Sequence, residues 1–235
     1  AIGFSKLTDG AFDISFAAAD KIWKYDGSMT ELPSPEAVKE SVKKIGYQNI
    51  ILDREKSTIF LKLPGMKIGF GSIGKGYAAD KTKDFMMAKG VVAGIINASG
   101  DMNTWGKQPD GKEWTVGITN PMNKDRVFAV FPLTNSAVVT SGNYEKYVML
   151  NNKRYSHIID PRTGYPATGI ASVTVFAKSA EMANGLSTSV VVLGRETGMN
   201  LIDQIPQVSA VIVDDAGKVY YSRNAHIKKL KKLRK

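Results

Sequence analysis

Apolar and polar positions along the chain fall into short periodic segments that change from one period to the other. Phe12, Phe16, Ala19, Ile22 and Trp23 recur near helical spacing after Thr8-Asp9-Gly10, which predicts an early helix or an irregular core segment. Ser34-Pro35-Glu36 places a hydroxyl cap before a first-turn proline, and Val38, Val42 and Ile45 then line one face up to Gly46, so a short amphipathic helix is expected. Residues 48–52 and 58–63 are rich in β-formers and flank Asp53-Arg54-Glu55-Lys56, which reads as a hairpin. Residues 91–98, 114–119, 127–133, 147–150 and 172–177 also read as strands, whereas 77–89, 180–193 and 196–205 have helical periodicity. A closing hairpin is expected from 210–213 and 219–222 around Asp215-Ala216-Gly217. Hairpins mixed with helices argue for an α+β fold rather than a doubly wound sheet.

Composition narrows the class without naming a function. The 235 residues are 43% apolar and 23% charged, ordinary globular usage, and their longest apolar runs fall far short of a membrane span. Lys and Arg exceed Asp and Glu by 32 to 22, a net charge of +10. Six of these cations, Lys228, Lys229, Lys231, Lys232, Arg234 and Lys235, crowd the last eight residues, which sets a basic tail at 226–235 apart from a domain at 1–225. No interleaved aromatic and basic stripe occurs elsewhere, so no nucleic-acid partner is expected. Cysteine is absent, which excludes a disulfide framework and a thiol nucleophile. No charged segment followed by an apolar stretch opens the sequence, as expected for a cytosolic protein or for one whose export segment lies outside it.

The candidate chemistry lies in loops and on one helix face. Gly69-x-x-x-x-Gly74-Lys75 has the spacing of a phosphate-binding loop at a helix start, but Gly76 stands where a nucleotide triphosphatase needs Ser or Thr for its metal. The same stretch scans as Gly69-x-Gly71-x-x-Gly74, yet Asp101 is too distant for the acidic partner of a dinucleotide fingerprint. A plain glycine turn is the alternative. His157 ends a strand beside Asp160-Pro161-Arg162-Thr163-Gly164, which would supply a base, an orienting acid and an anion clamp, or else a turn capped by Asp160 with His157 as an ordinary strand residue. Asn184, Ser187 and Thr188 share a helix face, where three oxygens could ligate a hard cation or small residues could pack closely. His226, in the tail, reads as a surface residue.

The order of these motifs is more specific than any of them. Asp9-Gly10-Ala11-Phe12-Asp13, Gly71-Ser72-Ile73-Gly74-Lys75-Gly76-Tyr77-Ala78-Ala79-Asp80, Asn97-Ala98-Ser99-Gly100-Asp101, Thr140-Ser141-Gly142-Asn143-Tyr144-Glu145, His157-Ile158-Ile159-Asp160-Pro161-Arg162-Thr163-Gly164 and Ala183-Asn184-Gly185-Leu186-Ser187-Thr188 succeed one another from about Thr8 to Val213. In this the chain resembles the ApbE family of flavin transferases. The resemblance implies an α+β fold of two interleaved subdomains with a flavin nucleotide cleft between them. It also implies Mg²⁺-dependent transfer of FMN from FAD to a threonine of a partner protein, with release of AMP. It places Ala11, Phe12, Asp13, Gly69, Lys75 and Ile158 against FAD. Metal ligands fall at Ser72, through its backbone carbonyl, and at Asn184, Ser187 and Thr188.

From both lines of reasoning, His157 is expected to take the threonine proton, oriented by Asp160 or a neighbour, while Lys75 offsets charge on the phosphoryl oxygens. The family usually has Asp at the position of Asn184, so this site carries one negative charge fewer, and Asp101 is a candidate to replace it. Members also carry an N-terminal segment with a signal peptide and often a lipidated cysteine. The resemblance therefore implies an extracytoplasmic, lipid-anchored protein of the bacterial inner membrane whose acceptors are flavin-bearing subunits of membrane redox complexes, with this chain as its C-terminal bulk. FAD hydrolysis to FMN and AMP, or flavin binding without turnover, are the alternative readings. No Ser-Gly-Ala-Thr or Asp-Gly-Ala-Thr stretch occurs, so self-flavinylation is not expected.

Overall fold

The computed structural model describes residues 1–19, 21–143 and 146–225; Tyr144 and Glu145, His226 and the basic tail lie outside them. Helix α1 (Ile2–Leu7) and a 3-10 turn (Ile14–Ala18) precede α2 (Pro35–Ser41), a second 3-10 turn (Tyr47–Asn49) and the hairpin β1 (Ile50–Asp53) and β2 (Thr58–Leu61). Helix α3 (Gly74–Ala88) leads to β3 (Gly94–Ala98), β4 (Asp101–Trp105), β5 (Trp114–Asn120), β6 (Asn123–Leu133) and β7 (Ala137–Gly142). The hairpin β8 (Tyr147–Leu150) and β9 (Lys153–Ser156) follows, then β10 (Ile170–Ala177), α4 (Ala180–Leu193), α5 (Arg195–Asp203), β11 (Ser209–Asp214) and β12 (Val219–Tyr221). The α+β expectation holds.

Six strands form one sheet in the order β12-β11-β10-β7-β4-β3, every neighbouring pair antiparallel. Alternation along β10 sends Val173, Val175 and Ala177 to one face, where they meet Leu186 and Val190 of α4 in the main core. Phe176 points to the other face and packs on Phe131 of the β5–β6 hairpin, ring centroids 5.0 Å apart. The sheet is thus a middle layer, with helices on one side and a hairpin on the other. Leu186 and Val190 are wholly buried; each such side chain contributes about 1.5–3 kcal/mol.

The α3–α4 crossing is set by two residues of α3 one turn apart. Gly76 lies so close to Ala180 that a Cβ would overlap the Ala180 carbonyl. Asp80 turns its carboxylate into the start of α4. Its Oδ1 accepts from Ala180 N at 2.8 Å and Asn103 Nδ2 at 2.6 Å, and its Oδ2 from Ser179 Oγ at 2.7 Å and Glu181 N at 3.0 Å. These donors satisfy amides that a helix start otherwise leaves open, and a negative charge there opposes the helix dipole. Ser179 Oγ in turn accepts from Met182 N.

The early apolar segment is the irregular alternative, not a helix. Asp13 caps the 3-10 turn and then reaches sideways to Tyr47 N, which pins the backbone in a short turn before a long helix can propagate. The helix opened by Ser34 ends at Ser41 instead of continuing to Ile45, because the chain closes into turns through Lys43 N to Glu40 O and Ile45 N to Val42 O. Strand β4 was not anticipated because Asp101, Asn103 and Thr104 interrupt its apolar pattern; all three are buried, and Asn103 and Thr104 are satisfied through Lys83, Asp80 and Ser136. Burial pulls the Lys83 ammonium below its ordinary pKa, with Asp80 and Asp84 opposing that shift.

Gly76→Ala tests the crossing with opposed effects. Helix propensity alone favours alanine by about 1 kcal/mol, but overlap with backbone cannot be relieved by a rotamer change, so the variant is expected to be less stable in urea unfolding. Asp80→Ala is expected to lose roughly 2 kcal/mol, the scale of half-buried donors stranded by removal of a charged acceptor. A loss below about 0.5 kcal/mol would remove Asp80 from this role.

Candidate active site

Five segments close around a cavity of about 440 Å³, within the range of small-molecule sites. The first is the glycine stretch. Gly69 N donates to Ile14 O at 2.9 Å, and a Cβ on Gly69 would sit 2.9 Å from the Ala17 Cβ, so the loop lies flat on the 3-10 turn. Gly69, Gly71, Ser72 and Lys75 line the cavity. No side chain caps the start of α3, where Ile73 N and Gly74 N donate instead to the Phe70 carbonyl. Lys75 Nζ stands 3.2 Å from Oδ1 of Asp101, a carboxylate buried to 1% exposure. Asp101 therefore serves the lysine.

The second segment carries Ala11, Phe12 and Asp13, all buried and all in the wall. Phe12 N donates to Thr8 Oγ1 at 3.0 Å. Asp13 Oδ1 accepts from Ser15 N and Ser15 Oγ, its Oδ2 accepts from Tyr47 N at 2.7 Å, and Gly46 N donates to Ser15 Oγ. The Asp13 carboxylate thus fixes the wall by joining two segments far apart in sequence.

His157 and Ile158 come from the end of β9. The Lys146 carbonyl accepts from both His157 N, at 3.0 Å, and His157 Nδ1, at 2.9 Å. A carbonyl only accepts, so this contact requires the Nδ1–H tautomer and leaves Nε2 as the ring's acceptor. The expectation that Asp160 orients His157 is corrected here in favour of the neighbour. Asp160 instead accepts Arg162 N and Nε on Oδ1, both at 2.9 Å, and Arg162 Nη2 on Oδ2 at 2.7 Å. It caps the turn, and the pair holds the Arg162 pKa above its ordinary value. Asp160 does not line the cavity, whereas Ile159 and Pro161 do.

The fourth wall is α4. Asn184, Thr188 and Val192 recur every four residues along the face that lines the cavity. Asn184 is 4% exposed and its Oδ1 has no hydrogen-bond partner. Ser187 stands behind this face. It is fully buried, its Oγ donates to Asn184 O at 3.1 Å, and it lies 2.8 Å from Ser141 Oγ. Ser141, with Thr140 and Gly142 at the end of β7, occupies the cavity wall instead. The small hydroxyl residues at this strand end signalled a ligand approach, but not that Ser141 would displace Ser187. Ile14, Phe16 and Ala17 escaped the sequence reading because an irregular turn has no period to reveal which side faces inward.

These features define an α+β protein whose glycine loop, tautomer-fixed histidine and hydroxyl-bearing helix meet at one ligand-sized cavity. The model of the ApbE family matches residues 1–212, and the chain belongs to that family. It is 32% identical over 233 residues to the FAD:protein FMN transferase of Haemophilus influenzae, an alignment covering 96% of this chain and 67% of the relative. It is 31% identical over 211 residues to that of Klebsiella pneumoniae, covering 89% and 65%, and 32% identical over 228 residues to that of Treponema pallidum, covering 91% and 63%. The chain therefore spans about two thirds of the length of these curated relatives. The crystal structure of the ApbE protein of Thermotoga maritima superposes with a TM-score of 0.85 at 33% identity, covering 95% of this chain and 73% of that one. The flavin transferase ApbE of Vibrio cholerae gives 0.82 at 28% identity, covering 95% and 72%.

Because a backbone carbonyl sets the tautomer, Asp160→Asn is expected to leave it unchanged. Long-range ¹H–¹⁵N spectra of neutral His157 should show Nδ1 protonated in both proteins. A shift to the Nε2–H form in the variant would return the orienting role to Asp160.

Proposed function

We propose that this chain is the catalytic part of an FAD:protein FMN transferase. The observation that carries the reading is that His157, whose Nε2 the Lys146 contact leaves as an acceptor, lines the same cavity as Lys75 and Asn184. A second cavity, of about 570 Å³, shares Phe16, Ala17, His157 and Ile159 with the first, so the imidazole stands between two spaces. This arrangement suits a base between a bound dinucleotide and an acceptor hydroxyl arriving from the other side.

In the proposed reaction the threonine Oγ attacks the FMN-side phosphorus of FAD and its proton passes to His157 Nε2. The new Oγ–P bond replaces the bond from that phosphorus to the bridging oxygen, which leaves with AMP. Lys75, held by Asp101, lies beside the phosphates and offsets charge on their oxygens. Ala11, Phe12, Gly69 and Ile158 form the wall against the nucleotide, and Asp13 keeps that wall in place. The donor set also suits Mg²⁺: Asn184 Oδ1 is a buried oxygen without a partner, and the Thr188 hydroxyl and Ser72 carbonyl are hard oxygens on the same cavity. The cation would be held by these three, and when bound it supplies electrostatic stabilisation of the phosphoryl oxygens. Ser187 supports the set from behind.

We propose in addition that the protein works on the extracytoplasmic face of a bacterial inner membrane, on flavin-bearing subunits of redox complexes. No described helix is long and apolar enough to cross a membrane.

Incubation with FAD, Mg²⁺ and such a subunit, followed by intact-mass spectrometry, is expected to show a covalent FMN on the acceptor. Free FMN and AMP with an unmodified acceptor would make the protein a hydrolase, and intact FAD would make it a binding module. His157→Ala is expected to slow transfer by about 10²–10⁴-fold while still binding FAD. Transfer at the full rate would exclude His157 as the base.

A further inference from the structure

The cation-compatible face of the cavity is uncharged. Asn184 offers an amide oxygen, Thr188 and Ser141 offer hydroxyls, and Ser72 offers at most a hydroxyl and a carbonyl. Among the described residues no group of three or more His, Cys, Asp or Glu side chains is placed to hold a metal. The carboxylates of the neighbouring segments have other work. Asp13 accepts from Ser15 and Tyr47, Asp101 faces Lys75, and Asp160 is forked by Arg162. Asp101, the candidate to supply the absent charge, is thus turned to Lys75 and is not part of the cavity lining. A small divalent cation sheds water reluctantly and holds best to anionic oxygens, so neutral donors alone give it a weak site. Asn184 Oδ1 is nevertheless buried and unpartnered, as expected of a ligand oxygen that completes its coordination only in a loaded state.

We propose that the divalent cation and the dinucleotide occupy this cavity as a coupled pair, with the pyrophosphate supplying the negative charge that the Asn184 face lacks. This deepens the flavin nucleotide reading and rests on it. Coupling is reciprocal: the factor by which the nucleotide tightens the cation is the factor by which the cation tightens the nucleotide. The protein alone then stays largely free of metal, and the cation site is completed when the nucleotide arrives.

Mn²⁺ titration followed by electron paramagnetic resonance, corrected for metal bound by free FAD, measures one side of this cycle. Quenching of flavin fluorescence in EDTA and in saturating Mn²⁺ measures the other. Saturating FAD is expected to tighten Mn²⁺ by about thirtyfold, within the usual span of coupling factors, and Mn²⁺ should tighten FAD by the same factor within about twofold. Asn184→Asp is expected to bind Mn²⁺ without nucleotide and to reduce the coupling at least about fivefold. Thr188→Val, a milder change, should weaken Mn²⁺ in the ternary complex. Equal Mn²⁺ affinity with and without FAD, or coupling unaffected by Asn184→Asp, overturns the inference. Uncoupled binding in a protein that still flavinylates its acceptor overturns it alone, whereas absence of FAD binding under both conditions overturns the flavin reading with it.

Discussion

Asp80 projects from α3 into the first turn of α4 and gives that turn its acceptors: two oxygens meet two backbone amides, the Ser179 hydroxyl and the Asn103 amide. The rest of the site depends on this junction. Gly76, one turn earlier, allows the helices to touch at backbone distance, and Lys75 beside it fixes where the glycine loop ends. On the other side, the same capped turn begins the helix that carries Asn184 and Thr188 one and two turns further on. Moving α4 relative to α3 would separate the glycine loop from the oxygen-bearing face. A partly buried carboxylate is costly to place unless its lone pairs are filled, and here the helix start supplies donors that would also be costly to leave open.

The same economy governs the other polar groups of the cavity. Asp13, Asp101 and Asp160 are committed to Tyr47 and Ser15, to Lys75 and to Arg162 respectively. Each holds a wall, a cation or a turn. The groups turned toward ligand space are neutral or positive: an imidazole, an ammonium, an amide and hydroxyls. A pyrophosphate entering such a cavity brings the largest negative charge in it, and at short range and low dielectric that charge dominates the local field.

Much of this was legible in the sequence for physical reasons that differ from element to element. Helix α4 could be read to the residue because Ser179 is a cap and apolar and small residues fill its buried faces. The hairpin of β1 and β2 announced itself through β-formers around a charged turn. Strand β4 did not, because its inward residues are polar and their partners, Lys83 and Asp80, lie some twenty residues away in sequence. Within the site, the order of six motifs indicated which segments meet, and the cavity gathers residues from five of them: Ala11, Lys75, Ser141, His157 and Asn184. What it could not carry was pairing. That Asp160 belongs to Arg162, that Asp101 belongs to Lys75, and that Ser187 stands behind Ser141 are three-dimensional facts, since each residue type suits either role.

The partner of His157 shows why one of those pairings matters. An acceptor at Nδ1 is needed to keep Nε2 open, and either a carboxylate or a carbonyl can provide it. A carboxylate would add a full negative charge beside a ring that lines the cavity proposed for the pyrophosphate. The Lys146 carbonyl fixes the same tautomer with a dipole alone, and its second bond, to His157 N, ties the ring to the backbone of its own strand. Placing Asp160 in a fork with Arg162 removes the competing carboxylate from the ring. Beside a strongly anionic ligand, orientation by a neutral group fixes the tautomer without bringing a second negative charge to the cavity.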